Sequence, residues 1–396
     1  MDRGSKSPNG ERPLPNPSPF TENPVCRLET GERGAPDQLA LLSARCLLLP
    51  QSSDFFTAAW RTILRPLSVS MTSIFPGMDG AMRKLAYVNS FIAMIFIYGC
   101  GLNTIDGRGD AARIQPSKSR FEYRGISINY EDHGQGQPLI LLHGYGASTY
   151  SWRYVSPYFS KAYRVIAIDL KGFGLSDKPM DNDYSVLDQS RIISEFIRVH
   201  SLENVILVGH SLGGAVSLLT YLMQSDHGAH HISKLILFDT ASYKQELPDF
   251  ISILRVPIIN VLSLCLTSSN FKSRMILRKA FFDHSKITEE MVTTYGAYLS
   301  LPGASHALIK TAKQILPPNL EEISERYKSI NIPVLLIWGE KDKIVPLEIG
   351  RKLAGNIPNS KLVVVPNCGH VPQEECPIQA IEAMESFLSY QTGAMK

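Results

Sequence analysis

The stretch Gly209-His210-Ser211-Leu212-Gly213-Gly214 sets a serine among glycines, between the apolar run "NVILV" and the helix-forming run "AVSLLTYLM". A serine forced onto a sharp strand-to-helix turn projects its hydroxyl free of the sheet, and the flanking glycines remove side chains that would clash. Such a hydroxyl becomes a useful nucleophile only when a base takes its proton. His370 in "VVVPNCGHVPQEE" is the candidate base, and Asp342 in "LIWGEKDKIVP" the acid that would hold the imidazole in its working tautomer. The N–H of Leu212 and the positive end of the helix behind it would favour a developing oxyanion. This is the inventory of acyl transfer.

The elements that must position these residues are legible as an alternation. "FEYRGISINYEDHG" reads as two short strands meeting at Arg124-Gly125. The runs "PLILLHG", "YRVIAIDL", "NVILVGH", "SKLILFDT", "PVLLIWGE" and "KLVVVPN" follow, apolar on both faces as buried parallel strands are. Leu187, Ile192, Ile193, Phe196 and Ile197 fall on one helical stripe, as do Ile378, Ile381, Met384 and Phe387. The pattern predicts an α/β fold, a mostly parallel sheet flanked by helices. About 90 residues separate "LILFDT" from "PVLLIWG", far more than a strand–helix loop requires, and they are apolar and helical in spacing. They are expected to form an inserted cap over about 244–318. Ligands of such sheets bind beyond the carboxyl ends of the strands. Those ends carry His143-Gly144-Tyr145, Asp169, Ser211, Asp239, Asp342 and His370. Trp152 either lines the pocket or packs a helix, and Cys368 reads as a small loop residue.

A net charge of +3 over 396 residues argues against a nucleic-acid partner or a polybasic patch. The six cysteines are scattered without metal-ligand spacing, so neither a disulfide framework nor a metal or other cofactor is expected. Residues 1–81 are rich in proline and polar residues and read as a disordered or non-native extension, with translation starting at Met82. From Met82-Arg83-Lys84 an apolar run leads to Cys100, so 82–100 reads as an export or membrane-anchor signal. It resembles a bacterial lipoprotein signal, which implies lipidation at Cys100, although Tyr98 departs from the residue usual there. The expected location is the cell envelope, anchored or exported, with the cytoplasm as the alternative. Residues 101–118 form a linker to the domain at 119–396.

The motifs "LLHGYGAS", "DLKGFGLSDKP", "GHSLGG", "WGEKD" and "NCGH" make residues 119–390 resemble the α/β-hydrolase superfamily, in its capped, serine-nucleophile, esterase- or lipase-like branch. The resemblance implies Ser211 as nucleophile, Asp342 as acid and His370 as base, in the chain order usual for that fold. It implies an oxyanion hole from the N–H groups of Tyr145 and Leu212, with Asp239 as the runner-up acid. Serine at the elbow, where epoxide and halide relatives use aspartate, points to a carboxylic ester or related acyl bond of a small apolar substrate. Carbon–carbon hydrolysis of ring-fission products and perhydrolysis are the alternatives; ring-fission relatives usually carry asparagine where this chain has His210. A ligand-sensing protein that keeps the triad is the reading from another class.

Overall fold

The computed structural model describes residues 119–257 and 267–389. Arg124 and Gly125 take positive φ (50° and 78°), which turns the chain back on itself. Strands β1 (Ser119–Tyr123) and β2 (Ile126–His133) therefore pair as an antiparallel hairpin. The apolar runs form β3 (Pro138–Leu142), β4 (Arg164–Ile168), β5 (Val205–His210), β6 (Ile232–Phe238), β7 (Val334–Gly339) and β8 (Ser360–Val365). They lie in the order β1-β2-β4-β3-β5-β6-β7-β8. From β4 through β8 every pairing is parallel.

Successive strand residues point to opposite faces, and both faces are dry. Ile140, Ile166, Leu207, Leu235 and Leu336 pack on one side, while Leu141, Ala167, Val208, Ile236 and Ile337 pack on the other. Helix α1 (Val186–Val199) covers the first face and opens on a reciprocal cap, in which the Ser185 hydroxyl accepts from Asp188 N and the Asp188 carboxylate accepts from Ser185 N. Helix α2 (Leu212–Asp226) follows β5 directly and lies on the same side. Leu187 and Ile378 depart from the expected stripes: both are exposed, because each lies well round the helix from its buried neighbours. Trp152 is fully buried against Phe238, their rings 5.7 Å apart, so it belongs to the second face of the core.

Between β6 and β7 the chain leaves the sheet as an inserted helical cap. Its helices are α3 (Asp249–Arg255), α4 (Ser269–Ala280), α5 (Glu289–Ser300) and α6 (Ala304–Gln314). Helix α7 (Leu347–Asn356) then joins β7 to β8, and α8 (Pro377–Ser389) closes the second face.

One expectation is corrected. Among the described residues no helix is long and apolar enough to cross a membrane. Residues 82–100 lie outside the described residues, and the apolar run from Leu85 to Tyr98 is shorter than the roughly 20 residues a spanning helix needs. The expected membrane attachment and envelope location are thus unsupported, and Cys100, the expected lipidation site, lies outside the described residues. The extension at 1–81 and the linker at 101–118 also lie outside the described residues.

The turn from β5 into α2 has no spare room. A Cβ on Gly213 would sit 2.3 Å from the Leu142 carbonyl oxygen and 2.6 Å from that of His143. Gly213→Ala is expected to lower the unfolding free energy by about 1–3 kcal/mol, the usual range for overpacking. Urea titration of the two proteins would show it, and an unchanged midpoint would mean the turn has slack.

Candidate active site

Ser211 is the junction between β5 and α2, and its backbone is strained, with φ 52° and ψ −112°. A non-glycine residue there costs roughly 1–3 kcal/mol unless its surroundings hold it. Here they do: Ser211 N–H donates to the Phe238 carbonyl at 2.9 Å, and its own carbonyl accepts from Gly214, Ala215 and Ala241. Leu212 is the first residue of α2, so its N–H has no partner within the helix. The loop after β3 passes over this turn so closely that a Cβ on Gly144 would meet Ser211 Cβ at 3.2 Å. Tyr145, with the second candidate oxyanion N–H, therefore lies beside the serine, and both line one cavity with His370.

His370 Nδ1 and Asp342 Oδ2 are 2.8 Å apart. Asp342 Oδ1 accepts two backbone N–H groups, from Ile344 at 2.7 Å and Val345 at 3.0 Å, which fixes the carboxylate behind the imidazole. Ser211, Asp342 and His370, separated by up to 159 positions, are thus brought to one end of the sheet. No hydrogen bond joins Ser211 to His370 among the described residues; such contacts often tighten only when substrate is present.

Asp239, the runner-up acid, sits beside Asp342 on the neighbouring strand end, fully buried at φ 41°. One of its oxygens accepts Gly339 N–H at 2.9 Å, and the other has no partner. Burial and the charge of Asp342 push its pKa well above the usual carboxylate range. Donor atoms of Asp239, Asp342 and His370 lie within 4.8 Å of one another, close enough to suit a cation. The Nδ1 contact commits the imidazole to Asp342.

Asp169 has a different part. Its carboxylate accepts Thr149 N–H, Asn129 Nδ2 and Leu175 N–H, tying the loop after β3 to the loop after β4. Cys368 is buried in the His370 loop with its Sγ 4.0 Å from Glu375. Glu375 itself was missed by sequence reasoning, although it lies in the same "VPQEE". Its carboxylate accepts Gly369 N–H at 2.7 Å, Asp283 N–H at 2.7 Å and Phe282 N–H at 3.1 Å. His370 N–H also donates to the Ala280 carbonyl at 2.7 Å. The loop carrying His370 is thereby fastened to the end of α4. Neighbouring Glu374 takes Arg153 Nη1 at 2.6 Å and the Tyr295 hydroxyl at 2.8 Å, a second link from cap to core. A glutamate that stays buried away from solvent is the signal, and sequence alone does not show burial.

A sequence profile of the alpha/beta hydrolase family matches residues 139–384, which span β3 to α8. The chain belongs to this family. It is 30% identical over 273 residues to the uncharacterized hydrolase YugF of Bacillus subtilis (strain 168), covering 68% of this chain and 97% of that one. It is 31% identical to a 2-hydroxy-6-oxo-6-(2'-aminophenyl)hexa-2,4-dienoic acid hydrolase of Metapseudomonas resinovorans, over 67% of this chain and 88% of the relative. A crystal structure of a meta-cleavage product hydrolase from Pseudomonas fluorescens IP01 matches with a TM-score of 0.59 at 27% identity, over 69% of this chain and 98% of that one. A hydrolase is supported; the narrower expectation of an ester hydrolase is not, because several relatives with a named activity cleave carbon–carbon bonds.

Two histidines beside the site are buried as neutral groups. His143 donates from Nδ1 to the Gly144 carbonyl and accepts Leu170 N–H at Nε2. Burial lowers its pKa to about 4. The unfolded chain, with an ordinary histidine near 6.5, binds this proton first as pH falls. Stability from His143 is therefore full above about 6.5 and is lost as pH falls to about 4, on the order of 3 kcal/mol in all. His210 is shifted in the same direction by burial and by His370. Thermal melts between pH 7 and 4 should show a falling Tm that is shallower in His143→Gln, and parallel curves would contradict the assignment.

Proposed function

We propose that this hydrolase works through Ser211, with His370 as base, Asp342 as its orienting acid, and the N–H groups of Tyr145 and Leu212 as the oxyanion hole. Ser211 Oγ adds to a carbonyl carbon while His370 takes its proton, and the oxygen that gains charge meets the two N–H groups. The carbonyl then re-forms, the leaving group departs with the proton from His370, and water repeats the sequence on the acyl-serine.

The observation that carries this reading is the position of Ser211 between two chambers. One is lined by Ser211, His370 and the cap residues Ile276 and Leu277. The other is lined by Ser211, Tyr243 and Leu247, and His370 is not among its lining residues. Tyr145, Ser211, Ile251 and Ile344 border both. A leaving group must receive its proton from His370, so it occupies the first chamber, and the acyl part occupies the second.

Similarity to the ring-fission hydrolases favours a carbon leaving group: a ketone whose adjacent C–C bond breaks, its carbanion delocalised and then protonated. One observation favours an ester as the second reading. The first chamber's walls at Ile276, Leu277, Ala280 and Leu299 are apolar, and an alkoxide, unlike a carbanion, needs no delocalising partner.

Purified protein and Ser211→Ala should be assayed on a 2-hydroxy-6-oxo-6-phenylhexa-2,4-dienoate, as free acid and neutral carboxamide, beside nitrophenyl esters. The variant is expected to lose on the order of 10³-fold or more in kcat on whichever substrate turns over. Cleavage of the ketone marks the carbon–carbon reading and turnover of the esters alone the second. A single stoichiometric burst would instead mark a ligand sensor.

A further inference from the structure

We infer that the two chambers take an uncharged substrate, unlike the acids for which several relatives are named. This rests on the catalytic reading above and specifies its substrate class. None of the described residues lining either chamber is lysine or arginine. The cap stretch 258–266, which lies outside the described residues, has neither in its sequence "IINVLSLCL".

Most polar side chains of the described walls also turn their protons inward. In the first chamber the Tyr145 hydroxyl donates to the Leu308 carbonyl at 2.8 Å, and Ser273 Oγ to that of Val292 at 2.7 Å. The Tyr295 hydroxyl is committed to Glu374, and His210 Nε2 lies 2.7 Å from the His370 carbonyl. In the second chamber the Tyr327 hydroxyl donates to the Ser242 carbonyl at 2.9 Å, and Gln245 Nε2 to that of Ile344 at 3.1 Å. Apart from Ser211 and His370, the side-chain donors that the described walls leave over are neutral, the Tyr243 hydroxyl, which accepts from Asn356 Nδ2, and the second amide hydrogen of Gln245.

The one formal charge on the walls is the carboxylate of Glu374. It faces the His370 chamber, where the leaving group is placed. Arg153, its ion-pair partner, is not part of either lining. A substrate carboxylate would shed its water here and gain no cation from the described walls, since Arg153 is already spent on Glu374 at 2.6 Å. Buried charges without partners are strongly disfavoured, whereas an apolar or neutral group meets walls of its own kind.

The test pairs the butanoyl ester of 4-hydroxybenzoic acid with the butanoyl ester of methyl 4-hydroxybenzoate, which differ in the charge of the leaving group. The wild-type protein is expected to favour the neutral ester by on the order of 100-fold or more in kcat/KM. Glu374→Gln should narrow that ratio. Equal rates, or a preference for the acid, would overturn the inference. Calorimetry with Ser211→Ala and the matching butanoyl amides reads the same preference without turnover. If neither ester is cleaved yet the neutral amide binds the tighter, the catalytic reading falls and the charge preference stands; if the acid amide binds as well or better, the preference falls by itself.

Discussion

The structure depends on one strained residue. Ser211 holds a positive φ because its N–H and carbonyl are clamped between β5, β6 and α2, and because its glycine neighbours have no Cβ to collide with. Residues separated far along the chain are built around that point. The loop after β3 crosses directly over it, which requires glycine at 144, and its lateral support comes from the first residues after β6. Released from this frame, the serine would relax toward ordinary backbone angles and carry its hydroxyl away from His370.

The second constraint is electrostatic. Two carboxyl groups, Asp239 and Asp342, lie buried at adjacent strand ends, and burial cannot support two bare charges side by side. The structure resolves this by unequal hydrogen bonding: two backbone N–H groups and the imidazole serve Asp342, and one N–H serves Asp239. The better-served carboxyl is the one that faces His370.

Much of this was legible in the sequence, for identifiable reasons. Buried parallel strands announce themselves as short apolar runs, and the turn chemistry of Arg124-Gly125 and Gly209 to Gly214 marks where they stop. The helical stripes were less reliable: Leu187 and Ile378 are apolar yet exposed, since composition does not say how far round a helix a residue lies. Trp152 was ambiguous because a large aromatic suits a pocket and a core equally well. Glu374 and Glu375 gave no signal at all. Their importance comes from cap residues about 80 to 90 positions earlier in the chain that fold back onto them, and charged residues near a loop ordinarily face water.

The Glu375 contacts join two distant segments. The same carboxylate grips Gly369, beside His370, and the N–H groups of Phe282 and Asp283 just beyond α4. One buried side chain thus couples the His370 loop to the cap, and neither segment can shift against the other without giving up hydrogen bonds that this single carboxylate holds.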